Sequence, residues 1–255
     1  MDRALGLRLG TALLVAGALV SCGSGSSTPK ADLRTGSVPT PTSVGPSASA
    51  PPSADTRFFD GFDNNDNDWP TRTAPDGTTI AVTGGGYQVT LPARNTHYIR
   101  PAALAARDDL RSGVSVTGTV RAVSGKTYAV GLACRLSPSE RQYYAGRLLQ
   151  DGTSELVRRE KGAGERILGD SHANPIHLPP IHLTQGRPVR LVLFCGEKEG
   201  TMDLRLTVNG DVAVQAEDPR PLPENPAGIY AVAGAESPTS TFTFDDVLVE
   251  PFTPE

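Results

Sequence analysis

The sequence predicts an all-β fold, built as an antiparallel sandwich of two sheets. Apolar and polar residues alternate along many short segments, as at 114–121 and 202–208, and this period of two is typical of half-buried strands. Asn209-Gly210 follows the second of these segments and predicts a tight hairpin, because a type I′ turn needs positive φ at both central residues. Only residues 102–110 resemble a helix. Many short strands with turn signals and almost no helix are typical of a sandwich.

The predicted strands follow one another over most of the chain after residue 56. They lie at 57–62, 79–83, 86–91, 97–100, 114–121, 128–136, 143–149, 155–159, 164–168, 189–195, 201–208, 212–216, 228–234 and 240–250. Asp151-Gly152 predicts a turn between two of them. In the last strand Phe242 and Phe244 share one phase, whereas Val247 and Val249 take the other. We expect a β-bulge at residues 245–246, because an extra residue there would reset the phase.

The chain begins with a short apolar segment that ends at Cys22. Arg3 and Arg8 precede apolar residues 9–20, which as a helix would span about 18 Å of a hydrocarbon core about 30 Å thick. Residues 1–21 are therefore predicted to be a signal peptide rather than a membrane span. Residues 19–22, Leu-Val-Ser-Cys, resemble a bacterial lipobox.

The lipobox resemblance implies cleavage before Cys22 and transfer of a diacylglyceryl group to its thiol, usually with acylation (palmitate) of the new amino terminus. Two acyl chains give stable anchoring where one is marginal. We therefore expect a lipid anchor on the extracytoplasmic face of the cell membrane. The alternative is an ordinary secretory leader with an incidental cysteine.

The remaining cysteines, Cys134 and Cys195, fall in phase with apolar neighbours, so both sulfurs are expected to point inward. Disulfides persist in the oxidising compartment that an exported chain enters. The sequence therefore predicts a Cys134–Cys195 disulfide. Two buried free thiols are the alternative, since cysteine is among the most buried residue types.

The segment between the leader and the strands, 22–56, is rich in Ser, Thr, Pro, Gly and Ala and has no aromatic residue. Such a composition buries too little apolar surface to offset the entropy of ordering, so a disordered linker is predicted. As a flexible coil it would reach about 30–35 Å. Residues 57–255 are predicted to be one domain, and about 200 residues is ordinary for a β-sandwich.

Short motifs recur along this predicted domain. They are Phe58-Phe59-Asp60-Gly61-Phe62, Trp69-Pro70, 130–135, Tyr143-Tyr144, 190–195, 206–210 and 244–247. In them the domain resembles the concanavalin A-like (laminin-G-like) jelly-roll domains of bacterial lipoproteins and sensor proteins. The resemblance implies two stacked antiparallel sheets, one concave face and neighbouring terminal strands. Many members of the family bind carbohydrate.

Motifs for catalysis are missing from the sequence. Glucanases on this fold carry alternating carboxylates on one strand, but Glu197 and Glu199 lie in a glycine-flanked turn, and Glu155 and Glu160 have the wrong spacing. A nucleophile elbow, a phosphate-binding loop and a zinc-protease motif are also missing. We therefore predict no catalytic centre.

No cofactor is predicted, with one candidate exception. The resemblance suggests a structural Ca²⁺ near the paired termini, held by Asp60 with Asp245 or Asp246. The neighbouring run of Asp and Asn at 63–68 is also rich in oxygen atoms that could bind a metal ion. The alternative is that these residues only form a turn.

One predicted hairpin carries candidate ligand-binding residues. They are Tyr143, Tyr144 and Arg147 on its first strand and Arg158 and Arg159 on its second. Aromatic faces can stack on sugar rings, and guanidinium groups donate strong hydrogen bonds to hydroxyl oxygens. The alternative is that one tyrosine is core and the arginines form a solvated face.

The charge distribution excludes nucleic acid as a partner. The chain has a formal net charge of −4, and the basic residues at 141–166 are interleaved with glutamates. The sequence thus predicts a lipid-anchored binding module for carbohydrate of the cell envelope. A structural lipoprotein that binds an envelope protein and a divergent glycan-cleaving enzyme are the alternatives.

Overall fold

In the computed structural model of the 255-residue chain, the described residues are 57–93, 96–99, 113–125, 128–137, 139, 141–172, 187–236 and 239–252. They form strands joined by turns and loops, and they fall within one compact unit, Ala50–Glu255. The strands of this described part are β1 (Phe58–Asp60), β2 (Arg72–Thr73), β3 (Thr79–Val82), β4 (Tyr87–Pro92), β5 (Thr96–Ile99), β6 (Val114–Ser124), β7 (Tyr128–Ser137), β8 (Gln142–Leu149), β9 (Ser154–Arg159), β10 (Glu165–Asp170), β11 (Val189–Lys198), β12 (Thr201–Val208), β13 (Asp211–Asp218), β14 (Gly228–Ala233) and β15 (Thr239–Pro251).

The strands form two antiparallel sheets, as the sequence predicts. In the described ranges the larger sheet has nine strands in the order β13-β12-β11-β6-β15-β4-β3-β2, with β1 also paired to β15. The smaller sheet has six strands in the order β10-β9-β8-β7-β14-β5. Strand β14 lies between β7 and β5, so the smaller sheet joins strands that are far apart along the chain.

Two local predictions are confirmed in the backbone. Asn209 and Gly210 have φ values of 54° and 97°, and they connect β12 to β13 as a hairpin. The pairing of β15 with β6 shifts register between Asp245 and Leu248, and Asp246 has a φ of 50°. This bulge lets residues on both sides of it point into the core.

The main core lies between the sheets. Its members alternate along the strands, as Val130, Leu132 and Cys134 do on β7 and Leu204 and Leu206 do on β12. At about 25 cal/mol per Å² of apolar surface, this alternating burial is the main stabilising term of the fold.

A disulfide joins Cys134 on β7 to Cys195 on β11, with a Cα–Cα distance of 6.6 Å. It ties the smaller sheet to the larger one through the core. The predicted pairing is therefore confirmed, and the alternative of two free thiols is wrong.

Several predictions lie outside the described residues. They are the signal peptide, lipidation of Cys22, the linker at 22–56 and the helix-like segment 102–110. Among the residues that are described, no helix has the length and apolar character needed to cross a membrane.

Candidate functional site

The five candidate ligand-binding residues divide between the two faces of the six-stranded sheet. Along β8 and β9, alternation turns Tyr144 and Arg158 toward the larger sheet. It turns Tyr143, Arg147 and Arg159 to the opposite, outer face. Neighbours in sequence thus serve two different networks, because side chains alternate across a strand.

The outer face carries a cluster of five residues: Tyr143, Arg147, Glu155, Glu165 and Tyr230. We call it the outer-face cluster. Glu165 of β10 accepts hydrogen bonds through Oε1 from the hydroxyls of Tyr143 and Tyr230, the latter at 2.9 Å. Its Oε2 accepts one from Arg147 Nη1 at 2.7 Å. One carboxylate therefore joins three strands, β8, β10 and β14.

Arg147 lies at the centre of the outer-face cluster. Its Nε and Nη2 lie 2.8 and 2.7 Å from Glu155 Oε2, and its Nη1 also donates to the Tyr230 hydroxyl at 2.7 Å. Charge-assisted hydrogen bonds of this kind are about twice as strong as neutral ones, so the guanidinium is firmly oriented.

Small residues make room for the outer-face cluster. Tyr230, Gly131, Arg147 and Glu155 are successive partners across four strands, so Arg147 meets Tyr230 over a position without a side chain. A Cβ at Gly131 would lie 2.0 Å from the Gly146 carbonyl oxygen. Only glycine fits there.

The aromatic rings of the cluster are packed over alanines. Tyr143 and Tyr230 lie two rows apart, with centroids separated by 5.8 Å, and the buried Ala133 and Ala145 belong to the same apolar group. Small side chains in the intervening row let the two rings approach and aim both hydroxyls at Glu165.

Hydrogen bonding sets the charge state of the cluster. Burial alone would raise the pKa of Glu165, but hydrogen bonds from both tyrosines and the positive charge of Arg147 hold it below its usual range. Burial would lower the pKa of Arg147, but Tyr230 and Glu165 raise it overall. Burial raises the pKa of Tyr143 and Tyr230 as well. The tyrosines therefore stay protonated donors, and the Glu165–Arg147 pair stays ionised.

This charge state bears on catalysis. A glycosidase needs one carboxylic acid whose pKa is raised, so that it can protonate the leaving group. Glu165 has the opposite shift, and both Glu155 and Glu165 are held by the same guanidinium. Glu165 is therefore arranged to hold hydrogen-bonding groups in place rather than to deliver a proton.

The interior residues build a second network around Asp218 at the end of β13. Tyr144 donates to Asp218 Oδ2 at 2.7 Å and accepts from the Leu222 N–H at 3.0 Å. Arg158 Nη1 lies 3.0 and 2.7 Å from the two oxygens of Asp218. Because Asp218 is 1% exposed, this pair links the two sheets from within.

The expectation of exposed aromatic faces is wrong, because the rings of Tyr143 and Tyr144 are fully buried. Tyr144 belongs to the inter-sheet core, and the ring of Tyr143 belongs to the apolar group on the outer side of the sheet that also contains Tyr230. Arg147 and Arg158 do not form a solvated face either, since Arg158 is 6% exposed and the Arg147 side chain 14%, whereas Arg159 is half-buried. Their role in ligand binding stays a prediction.

Sequence reasoning missed Tyr230, Glu155, Glu165 and Asp218 as site residues. Glu165 follows a turn directly, and Tyr230 lies on a strand about 80 residues beyond its partners. Strand order alone brings these side chains together, and the sequence does not display strand order.

The calcium candidates sit in well-satisfied surroundings. The carboxylate of Asp60 accepts three hydrogen bonds, from Phe62 N at 2.7 Å, Asn67 Nδ2 at 2.9 Å and Trp69 Nε1 at 2.7 Å. Asp60 therefore fixes the turn of residues 61–69 and the position of Trp69 against the core.

The other two candidates lie at the bulge of β15. Asp245 accepts a hydrogen bond from the Asp246 N–H at 2.9 Å, and burial with the nearby carboxylates Asp246 and Asp63 raises its pKa. No group of three or more metal-ligating side chains occurs in the described ranges. The calcium site stays a prediction.

Comparisons with known proteins place the fold. No protein-family model matches the chain, and no curated protein matches it. Among solved structures it is similar to the carbohydrate-binding module CBM66 from Bacillus subtilis, at 16% identity and a TM-score of 0.52, over 72% of this chain and 96% of that one.

Two further solved structures are similar to the chain to the same degree. A protein of unknown function with a galectin-like fold from Bacillus subtilis is 13% identical, with a TM-score of 0.52 over 78% of this chain and 96% of that one. A β-glucanase of Bacillus licheniformis is 10% identical, with a TM-score of 0.52 over 77% and 98%. At these identities the likenesses show the fold, so the described part of this chain is a jelly-roll β-sandwich of the concanavalin A-like and galectin-like kind.

Proposed function

We propose that the protein is an extracytoplasmic, lipid-anchored binding module whose β-sandwich holds carbohydrate of the cell envelope. The observation that carries the proposal is the outer-face cluster. It fixes a guanidinium and two carboxylates in direct contact on the outer face of the sheet. Its side chains keep some accessibility, 14% for Arg147, 11% for Glu155 and 24% for Glu165.

The cluster suits sugar hydroxyls for a physical reason. A hydroxyl both donates and accepts, so it fits beside a carboxylate that accepts and a guanidinium that donates. Binding sites gain affinity when such groups are already oriented, because less side-chain entropy is lost on association. Tyr143 and Tyr230 supply this orientation through Glu165 rather than by stacking on the ligand.

The similarity to a carbohydrate-binding module is consistent with this proposal, since the same fold is used there for a sugar ligand. Fold alone does not determine function, and it is the residues of the outer-face cluster that support sugar binding.

The test is a glycan array probed with the full-length protein in detergent, followed by titration of the strongest ligand. Glu165→Gln should weaken binding by about tenfold or more, because it removes the charged acceptor and loosens Arg147. Glu217→Gln is the matched control, since Glu217 is exposed on β13 of the other sheet. Thermal unfolding of both variants verifies that each is folded.

Equal binding by Glu165→Gln and wild type, or no glycan bound at all, would overturn the proposal. Crosslinking in intact cells that captures one dominant envelope protein would then favour a protein-interaction lipoprotein. Release of reducing sugar from a bound glycan would favour an enzyme.

The anchor is proposed from the leader sequence, with Cys22 as the lipidated residue. Cys22→Ala should leave the protein unprocessed or release it into the medium. A processed Cys22→Ala protein that stays in the membrane fraction would contradict lipidation.

A further inference from the structure

A second polar site lies at the edge of the sandwich, on the interior side of β9. It is a pocket of about 220 Å³, lined by Arg158, Glu160, Ala163, Gly164, Arg166 and Arg220. At about 30 Å³ per water, this space holds on the order of seven water molecules. The pocket is therefore larger than a bare inorganic anion requires and close to the size of one sugar ring.

The inner wall of the pocket is an incompletely satisfied arginine. Arg158 uses Nη1 for Asp218 and Nη2 for Glu160. Its side chain is only 7% exposed, and its buried Nε–H has no acceptor in the described part of the chain. The Nε atom is itself closed to solvent, so the donors that a ligand reaches first are those of the exposed arginines that line the pocket, Arg166 and Arg220.

Two further arginines add positive charge at the mouth. Arg166, which lies opposite Arg158 in the β9–β10 pairing, is 57% exposed and approaches Asp218 no nearer than 3.8 Å. Arg220 is exposed and also lines the pocket. Asp218 is already neutralised by Arg158 and bonded by Tyr144.

The charges around the pocket therefore do not balance. Three guanidinium groups, on Arg158, Arg166 and Arg220, face two carboxylates, on Glu160 and Asp218. One positive charge and several N–H donors remain, and planar guanidinium groups match the oxygens of a carboxylate. Ala163 and Gly164 line another side of the pocket, and because their side chains are small they leave space for the rest of a ligand.

We propose that this pocket binds the carboxylate of an acidic sugar, with one ring seated between Arg166, Arg220 and the turn of residues 160–164. The site is separate from the outer-face cluster, because Arg158 and Arg147 project from opposite faces of the same sheet. It does not depend on glycan binding by that cluster.

The test uses the full-length protein in detergent and three probes: glucuronate, glucose and inorganic phosphate. We expect glucuronate to bind and to shift the backbone amide NMR signals of Ala163 and Gly164, and glucose not to. Arg166→Gln and Arg220→Gln should each weaken glucuronate binding by about tenfold. Both side chains are exposed, so neither substitution threatens the fold.

Arg190→Gln is the matched control, since Arg190 is an exposed arginine on β11 of the other sheet. It should leave glucuronate binding unchanged. Failure of glucuronate to bind, equal binding of glucose, or binding of phosphate alone would each overturn the proposal. Loss of binding in Glu165→Gln with no effect of Arg166→Gln would also overturn it, because the ligand would then occupy the outer-face cluster.

Discussion

Removal of the disulfide between Cys134 and Cys195 should destabilise the domain strongly. The two residues are 61 apart in sequence, and both are buried. In the chain-entropy model, closing a loop of this length stabilises the folded state by about 4 kcal/mol, because it restricts the unfolded chain. For a domain of this size each kcal/mol shifts Tm by about 2–4 °C, so we expect a fall of about 8–16 °C.

The assay is denaturant and thermal unfolding of the oxidised wild type, the reduced wild type and Cys134→Ala/Cys195→Ala. Reduction must be carried out in denaturant before refolding, because the buried sulfurs are inaccessible in the folded state. The reduced wild type keeps both cysteine side chains, so it separates the effect of the crosslink on stability from the effect of losing side-chain contacts. A difference below about 1 kcal/mol between the oxidised and reduced wild type would refute the reasoning that the crosslink restricts the unfolded chain.

Three further substitutions test other parts of the structure. Gly131→Ala should lower stability by about 1–3 kcal/mol, because its Cβ would meet the Gly146 carbonyl at 2.0 Å; unchanged chemical denaturation would contradict this. Asp60→Ala should lower the free energy of unfolding by about 2–4 kcal/mol, because the buried Trp69 Nε1–H and the other donors to Asp60 lose their acceptor. The tryptophan fluorescence should shift, and an unaltered spectrum would contradict this. The fold lowers the pKa of Glu165. The ionised carboxylate therefore stabilises the folded protein above the pKa that it has in the unfolded chain, and this stabilisation is lost as the pH falls through the pKa that it has in the folded protein. The stability of Glu165→Gln should therefore lie below that of wild type at neutral pH and converge with it in acid, and parallel pH profiles would contradict the assignment.

The sequence predicted the architecture well because local chemistry determines it. Alternation of apolar residues marked the strands, and Asn209-Gly210 marked a hairpin whose φ values are both positive. The change of phase between Phe244 and Val247 required a bulge, and the pairing of β15 shows one there. The cysteines lay in phase with core residues, so their pairing required only that the two sheets stack.

The candidate site was predicted only in part. Tyr143 and Arg147 were identified from a hairpin, but their partners Glu165 and Tyr230 depend on the order of strands in the smaller sheet. That order is set by packing between distant segments and leaves no local pattern. Burial of the tyrosine rings is also a tertiary property, so alternation could not distinguish a sugar-stacking ring from a buried one.

The most direct test of the account is a crystal structure of the full-length protein with the strongest ligand from the glycan array. We expect sugar hydroxyls within hydrogen-bond distance of Arg147 and Glu165 on the outer face of the six-stranded sheet. A glycan seated on the larger sheet, with the outer-face cluster untouched, would contradict it.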